Sequence, residues 1–444
     1  MSDQPCSIHY FSSAAEAAGL IAHLAGRAAA DEEGASRTEA AVREILRDVR
    51  NNGLDAVVGY TRRYDCPAFT KEMFAIRPDA LREASLSIPD SDREIIREAA
   101  GRIRVFHEAQ KEKNWFITDA HGAVLGQVLT PLDRVGLYVP GGKGGETPLI
   151  SSMLMNGIPA QTAGVAEIAV VSPPGPDGAI SPYILAAAHE LGITEVYACG
   201  SAWAVAALAY GADPLAPVDL VAGPGNIWVT TAKKLLLGKI GIDMLAGPSE
   251  ICVIADETAR PDWVAADMLS QAEHDPLASA VCIVTSEAVA SAVQAELAAQ
   301  VQTLPRGDIA GQSLAAWGAI VVVPDLATAA AVANKLAPEH LEIALADPWP
   351  VAGMIRHAGA IFLGHYAAES VGDYFAGPNH VLPTMGTARF SSGLSVATFC
   401  KKSNVIRVDE SFTRDHAGGI ARLARLEGLE AHARAVEARL KREA

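Results

Sequence analysis

The adjacent pair Glu339-His340 combines a carboxylate with an imidazole, two side chains that enzymes use most often to move protons. Pro338 suits the first position of a helix, so the sequence predicts that both side chains lie in a helical first turn. The positive end of that helix would disfavour the imidazolium and keep His340 neutral as a base. The carboxylate of Glu339 could then activate a water molecule. The same pattern is also typical of an ordinary helix that begins with an acidic residue beside a surface histidine.

A second segment, Ser270-Gln271-Ala272-Glu273-His274-Asp275-Pro276, offers metal ligands. Gln271 and His274 are three residues apart and would share one face of a helix. Histidine is the commonest protein ligand for metals, whereas glutamine is an uncommon ligand for zinc. The spacing alone favours a simpler interpretation, in which His274 lies near the end of a helix that Pro276 stops.

Two more segments carry polar side chains in a suggestive setting. The stretch 372–384 has two prolines and two glycines between structured runs, which predicts a long ordered loop with Asp373 as a metal ligand and His380 as a substrate contact. On one continuous helix Glu427 and His432 would lie about 140° apart, but Gly428 could break that helix and let them converge. A plain surface turn and a solvated helix remain open as alternatives for these two segments.

Glycine-rich turns follow two predicted strands, at 140–148 and at 222–226. Turns of this kind expose backbone N–H groups and bind anions such as a pyrophosphate. Neither turn matches the full dinucleotide-binding or P-loop pattern, so a tight surface turn is the alternative for each. Together they favour a nucleotide-like ligand.

The elements that must position these side chains change in type along the chain. Amphipathic, alanine-rich stretches predict helices over 12–32, 36–62 and 91–111. Short apolar runs then alternate with helical stretches, and they predict two series of strands. The first series covers 135–139, 167–171, 195–199 and 220–222, and the second covers 251–255, 281–285, 319–323 and 360–363.

This alternation predicts an α/β fold with two Rossmann-like domains built on parallel sheets, together with a helical N-terminal region and a helical C-terminal tail. The first α/β domain would comprise a helical part over 1–137 and a remainder over 249–394 that carries the chemistry. The second, on the dinucleotide side, would cover 138–248, and 395–444 would form a small C-terminal region. The tail has only a narrow apolar stripe and needs a partner surface, for which a second subunit is one option.

Composition narrows the range of partners. The chain has 444 residues and a formal charge of −16, so it would repel nucleic-acid phosphates and anionic lipid. No run reaches the roughly 18 apolar residues of a membrane span. The six cysteines lack metal-site spacing and the N-terminus lacks a signal-peptide pattern, which together predict a cytoplasmic protein.

Taken together, these segments resemble the histidinol dehydrogenase family, from about Asp48 to His432. The resemblance is carried by the stretches VGLYVPGG, AGPGNIWVTTAKK, IDMLAGPSEI, AADMLSQAEHDP, APEHLE, GAIFLG, VGDYFAGPNHVLPTMGTARFSSGLSV and EGLEAH. It implies a homodimer with one zinc ion per subunit that oxidises L-histidinol to L-histidine through the aldehyde, with two NAD. It also implies that the C-terminal tail packs on the dimer partner and crosses into its active site.

The resemblance assigns roles residue by residue. It implies that zinc is held by Gln271, His274, Asp373 and His432, and that His340 accepts the proton while Glu339 activates water. The implied substrate contacts are Ser249, Gln271, His274, His340, Asp373, Glu427 and His432. Tyr138 and Asn226 match contacts to the dinucleotide. Many members carry a glutamine in the segment that matches residues 200–203, where this chain has Trp203, whose indole could stack on or wall the nucleotide instead.

Three other functions fit parts of this pattern. One is a related dehydrogenase for another small alcohol, such as a sulfonated diol, although such an enzyme would be expected to alter its substrate contacts first. Another is a zinc hydrolase with Glu339 as its base, but substrate nitrogens would leave its zinc no open position for water. The third is a binding protein, which would not need both Glu339 and His340.

Overall fold

The computed structural model describes residues 6–29, 32–142 and 147–440. The chain forms two compact units, one from Met1–Gln110 with Asp133–Phe399 and the other from Lys111–Leu132 with Cys400–Ala444. None of the helices in the described ranges is long and apolar enough to cross a bilayer.

The strands are short, as is usual in globular proteins. They are β1 (Ser7–Tyr10), β2 (Ala75–Ile76), β3 (Trp115–Thr118), β4 (Val124–Pro131), β5 (Arg134–Tyr138), β6 (Glu167–Ser172), β7 (Glu195–Ala198), β8 (Leu220–Ala222), β9 (Gly241–Ile242), β10 (Glu250–Ala255), β11 (Ser279–Val284), β12 (Ala319–Val322), β13 (His340–Ala344), β14 (Ala360–Leu363) and β15 (Cys400–Arg407).

Helices connect most of these strands. They are α1 (Ala18–Ala25), α2 (Glu32–Asn52), α3 (Leu54–Tyr64), α4 (Pro78–Ser87), α5 (Asp90–Glu108), α6 (Ile150–Ala163), α7 (Pro182–Glu190), α8 (Ser201–Tyr210), α9 (Ile227–Leu236), α10 (Pro261–Ala272), α11 (Glu287–Gln300), α12 (Gly307–Trp317), α13 (Leu326–Leu336), α14 (Trp349–Ala352), α15 (Glu369–Tyr374), α16 (Glu410–Leu426) and α17 (Glu430–Glu437).

The first unit contains two six-stranded sheets. In one, the order is β1-β12-β11-β10-β13-β14 and every pair is parallel. In the other, the order is β2-β7-β6-β5-β8-β9, and only β2 runs antiparallel to its neighbour. Strands β10 and β11 are buried along their whole length, which is why they appear in the sequence as unbroken apolar runs. The predicted α/β fold with two parallel sheets is therefore confirmed.

Other parts of the fold were not predicted. Strand β1 adds Ser7–Tyr10 to the edge of the first sheet, and its half-exposed residues carry no clear pattern. The second unit is built on an antiparallel sheet in the order β15-β4-β3, and every residue of β3 is exposed. The helical tail is confirmed, with its break at Gly428, where φ is +76°. Both parallel sheets belong to one compact unit. The domain boundaries expected from the sequence stay a prediction.

A buried ion pair ties the N-terminal region to the first sheet. Arg27 follows α1 in a 3₁₀ turn (Gly26–Ala29), and its guanidinium contacts the carboxylate of Glu250 at the start of β10. Their side chains are only 2% and 9% exposed. Burial raises the pKa of Glu250, and the neighbouring Arg27 opposes that shift. The guanidinium therefore stabilises the charged carboxylate of Glu250 in a buried position, where a charge without a partner would be costly.

Replacing Arg27 with Met should lower the free energy of unfolding by about 3–5 kcal/mol, because it leaves the Glu250 carboxylate buried without its partner. Urea unfolding of the full chain measures this difference. Arg43→Met is the matched control, since Arg43 forms an ion pair with Glu39 while its own side chain is 63% exposed. That variant should cost about 1 kcal/mol or less. Equal losses in the two variants would contradict the assigned role of Arg27.

Candidate active site

A pocket of about 330 Å³ collects most of the residues that the sequence singled out. It lies beyond the carboxyl ends of β5 and β8 in the second sheet, which contribute Pro140 and Asn226, and at the amino ends of β10 and β13 in the first. Carboxyl ends of parallel strands are the usual ligand-binding edge of such sheets. The catalytic candidates, in contrast, come from the opposite ends of their strands.

The pair Glu339-His340 does not begin a helix, so that prediction is wrong. Helix α13 ends before Ala337, which has a φ of +50°, and His340 is the first residue of β13. The run from His340 to Ala344 is buried throughout, because β13 lies between β10 and β14. Hydrogen bonding in the middle of a sheet outweighs the local preference of Pro338 for a helix start. No helix dipole therefore acts on His340 in the way that the sequence predicted.

Burial is what keeps His340 neutral. It lowers the pKa of the imidazole, although the nearby Glu369 carboxyl opposes that shift. Nδ1 of the ring lies 3.0 Å from the backbone oxygen of Glu250, which can only accept, so Nδ1 carries the proton. Nε2 then has a free lone pair, and no hydrogen-bond partner for it is found within the described ranges. It lies 3.8 Å from Oδ1 of Asp373 and 4.0 Å from Oε1 of Glu369.

The backbone of Glu250 also holds Glu339. The backbone N–H of Glu250 donates to Oε2 of Glu339 at 3.0 Å, and that oxygen lies 3.8 Å from Nδ1 of His340. Burial raises the pKa of the Glu339 carboxyl well above its usual range. A carboxyl group whose pKa is raised in this way suits proton transfer near neutral pH.

Three side chains in the pocket could hold a metal ion together. One ligand atom each from His274, Glu369 and Asp373 lies within 4.8 Å of the others. Gln271 lines the same pocket, and its buried Oε1 atom has no hydrogen-bond partner in the part of the chain that the structure describes. One imidazole and several oxygen donors make a set that fits a divalent ion such as zinc. The structure therefore brings three of the four expected zinc ligands, Gln271, His274 and Asp373, into one place.

The local structure around two of these ligands differs from expectation. Helix α10 ends at Ala272, so His274 lies in the turn that follows, where its backbone N–H donates to the oxygen of Gln271 at 3.1 Å. Asp373 lies in the short helix α15 and not in a loop. The turn after α10 brings His274, and helix α15 brings Asp373, into the lining of the pocket, which sequence spacing alone does not reveal.

Glu369 is the site residue that the sequence analysis missed. It is 2% exposed, and its Oε2 accepts a hydrogen bond from the hydroxyl of Ser270 at 2.6 Å. Within α15 it stands four residues before Asp373, which puts both carboxylates on one helical face. That spacing was the available signal, but it becomes visible only when the segment is assigned as helical.

Two further expected contacts also line the pocket. Ser249 directly precedes β10, and His380 has its Nδ1 3.8 Å from Oδ1 of Asp373. Burial lowers the pKa of His380 to about 4, so this imidazole is neutral and can accept or donate a hydrogen bond. Glu427 and His432 belong to the second unit, where Glu427 follows α16 and His432 lies in α17, and both are exposed.

The candidate dinucleotide contacts differ in how exposed their side chains are. Asn226 is exposed at the pocket and caps α9, since its Oδ1 accepts from the backbone N–H groups of Trp228 and Val229. The Tyr138 hydroxyl is buried and accepts from the backbone N–H of Ser201 at 3.1 Å. In the glycine-rich turn 140–148, residues 143–146 lie outside the described residues.

Trp203 occupies a different environment from the one expected of a stacking residue. Its ring is 4% exposed and packs against Tyr60 and Tyr64, with centroid distances of 5.8 and 5.6 Å. The indole N–H donates to the Thr61 hydroxyl at 3.2 Å. The ring is therefore buried and stacked, and its N–H group has a partner, inside the protein, which favours a packing role over contact with a nucleotide.

Comparisons with known proteins identify the family. The sequence model of the family described as histidinol dehydrogenase matches residues 28–440. Histidinol dehydrogenase from Nitratidesulfovibrio vulgaris is 59% identical over 98% of this chain and 99% of its own length. The enzyme of that name from Bacillus subtilis is 51% identical over 93% of this chain and 95% of its own. The crystal structure of histidinol dehydrogenase from Elizabethkingia anophelis superposes with a TM-score of 0.90 at 34% identity, over 98% of both chains. The chain belongs to the histidinol dehydrogenase family.

Proposed function

We propose that this protein oxidises L-histidinol to L-histidine through L-histidinal, with NAD as oxidant in both steps and one zinc ion per subunit. This reaction forms the last steps of histidine biosynthesis. The observation that carries the proposal is the free Nε2 of a neutral, buried His340 in the same pocket as three potential metal ligands. Family membership supports histidinol as the substrate.

Zinc would be held by Gln271, His274 and Asp373, with His432 of a second copy as the fourth protein ligand. When bound, it would fix the amine and imidazole nitrogens of the substrate, a positioning role that needs no change in the metal. The unpartnered Oε1 of Gln271 supports this assignment, because a buried amide oxygen without a donor is costly unless it binds something. Ser249 and Glu427 would contact the substrate beside this site.

His340 accepts the hydroxyl proton in both oxidations, that of the alcohol and that of the aldehyde hydrate. Its Nε2 accepts the hydroxyl proton while the carbon-bound hydrogen leaves as hydride to the nicotinamide. The hydrogen bond from Nδ1 to the backbone oxygen of Glu250 holds the ring in this tautomer. Asp373 and Glu369 near Nε2 would stabilise the imidazolium that forms.

Glu339 acts at the aldehyde stage. As a carboxylate it takes a proton from water while the water oxygen adds to the aldehyde carbon, and the imidazolium of His340 formed in the first oxidation returns its proton to the aldehyde oxygen. The resulting hydrate gives a hydroxyl proton to Nε2 of His340 while its carbon-bound hydrogen leaves as hydride to the second NAD. Its raised pKa makes it a stronger base than an exposed glutamate once its own proton has left. The N–H group of Glu250 keeps the carboxylate in place throughout.

NAD would lie along the carboxyl ends of the second sheet, next to Asn226 and near Tyr138. These two residues follow β8 and end β5 respectively, where parallel sheets bind dinucleotides. The expected contact from Trp203 is left out of this proposal, because its indole is buried and hydrogen-bonded.

Changing Trp203 to Ala should therefore lower the free energy of unfolding by about 3–5 kcal/mol, the usual cost of removing a large buried aromatic side chain. Trp203→Phe should keep most of the packing and leave the KM for NAD close to that of the unchanged protein. Thermal unfolding and initial rates at varied NAD measure the two effects. A large rise in KM for NAD in the stable Phe variant would restore Trp203 as a cofactor contact.

We also propose a homodimer in which the C-terminal tail of one copy completes the site of the other. Support comes from large apolar side chains that stay exposed in and after α16, such as Leu423 (65%) and Leu426 (63%). The proposal places the enzyme in the cytoplasm without nucleic-acid or membrane partners. All six cysteines are free, which suits a reducing compartment, and the charge of −16 disfavours anionic surfaces.

One assay tests the proposed function directly. L-histidinol and NAD should give a rise in NADH absorbance, at two NADH for each histidine formed, and a chelator should abolish it. No rise with histidinol but a rise with a sulfonated diol would mean a related dehydrogenase of different specificity. Metal-dependent hydrolysis without NADH would mean a zinc hydrolase. A histidinol-dependent rise that survives complete zinc removal would contradict the role of zinc.

A further inference from the structure

Strand β13 and helix α10 meet through two polar pairs with matched spacing. His340 and Glu342 are two residues apart on β13, so they share one face of the sheet, about 6.6 Å apart along the strand. Asp267 and Gln271 are four residues apart on α10, about 6 Å along the helix. The match brings Nε2 of Gln271 to 3.3 Å from Nδ1 of His340, a contact but not a hydrogen bond because both nitrogens carry hydrogen, while Asp267 hydrogen-bonds to Glu342.

Glu342 is also the anchor of a third element. It is 3% exposed, and its Oε1 accepts the backbone N–H of Glu369, the first residue of α15, at 2.7 Å. The side chain of Glu369 is held separately by the hydroxyl of Ser270 on α10. The start of α15 is thus fixed through both its backbone and its side chain.

This anchorage matters because α15 is only six residues long. A helix of that length has little stability of its own and takes its position from tertiary contacts. Glu369 and Asp373 lie on one face of it and point at the metal-binding side of the pocket. If the first residue of α15 shifted, both carboxylates would move away from His274.

We infer that Glu342 is a positioning residue of this site, which holds α15 so that Glu369 and Asp373 face His274 and Gln271. The inference rests on the proposed function for the identity of the metal. Glu342 itself is not among the residues that line the pocket, so it acts on the site through α15. Partners that orient metal ligands in this way commonly matter about 10- to 100-fold for affinity.

Zinc titration of the full chain, by competition with a chromophoric chelator, tests the inference without substrate. Glu342→Met keeps the side-chain volume but cannot accept the N–H of Glu369, so zinc affinity should fall about 10- to 100-fold. In Glu342→Gln, the amide oxygen can accept that N–H and the amide N–H can donate to Asp267. This conservative variant should rescue most of the lost affinity, and most of kcat in the histidinol assay.

Val253→Ala is the matched control, because Val253 lies opposite Glu342 on β10, is fully buried and has no bond to α15. It should lower stability without changing zinc affinity. Should Glu342→Met fail to fold, Asp267→Ala loosens the same anchor from a half-buried position and should lower zinc affinity in the same direction.

Unchanged zinc affinity in a folded Glu342→Met protein would overturn the inference, and so would a loss in Glu342→Gln as large as that in Glu342→Met. These outcomes are separate from the proposed function. If the wild-type protein binds zinc but does not oxidise histidinol, the proposed function is wrong. The zinc titrations of the variants still decide the role of Glu342.

Discussion

Replacing His340 with Asn should lower kcat for histidinol oxidation by about 10²- to 10⁴-fold, the usual contribution of a positioned general base. Asparagine keeps a polar side chain near the backbone oxygen of Glu250, but its amide has no basic nitrogen to take the hydroxyl proton. Zinc affinity should stay close to that of the unchanged protein, because His340 is not among the proposed ligands. Steady-state NADH production and zinc titration of the same preparation measure both.

A His340→Asn protein that loses its zinc would show that the ligand and base assignments are exchanged, and one that keeps its rate would remove His340 from the mechanism. The pH profile offers an independent check. Since burial lowers the pKa of His340, protonation of the base occurs only at lower pH. The kcat/KM of the first oxidation should therefore stay level down to about pH 6.5, the ordinary pKa of histidine, and fall below it.

Replacing His432 with Ala should reduce zinc affinity by at least about 100-fold and activity with it, since the proposal gives each zinc only four protein ligands. His432 is exposed in α17, so the change should not affect the fold of its own unit. Arg434→Ala removes another exposed side chain from the same helix and is the matched control. Wild-type zinc affinity in the His432→Ala protein would contradict the proposed ligand set.

Mixing the two inactive variants tests whether the tail serves its own subunit or the partner. If it crosses, a mixed dimer of His340→Asn and His432→Ala contains one site with both defects and one with neither. Random exchange of subunits in a symmetric dimer should then restore about one quarter of the wild-type activity. If each tail serves its own subunit, every site carries one defect and the mixture stays inactive.

The sequence predicted the parallel sheets well because their strands are buried on both faces. Such strands appear as continuous apolar runs, and β10 and β11 match the predicted strands closely. It did not predict β3, whose four residues are all exposed in an antiparallel pair with β4, the next strand along the chain. The partner that comes from far along the chain is β15, which pairs with β4, and no local pattern reveals a pairing of that kind.

The site shows the same division. Residue types and their resemblance to a known family were enough to single out Glu339, His340, Gln271, His274 and Asp373 from the sequence. The reason His340 is a neutral base was nevertheless mistaken, because the preference of Pro338 for a helix start was overruled by the pairing of β13 with β10 and β14. Burial in a central strand, and not a helix end, sets its pKa.

By itself, then, the sequence determined which side chains are present and the apolar periodicity that builds two parallel sheets around them. Only the tertiary structure decided that the backbone of one residue, Glu250, holds Glu339 through its N–H and His340 through its carbonyl oxygen, and that Glu369 joins His274 and Asp373. It also turned Trp203 inwards, against Tyr60 and Tyr64. The physical reason is that hydrogen bonds and burial between residues far apart in the chain are set by packing, which local sequence does not encode.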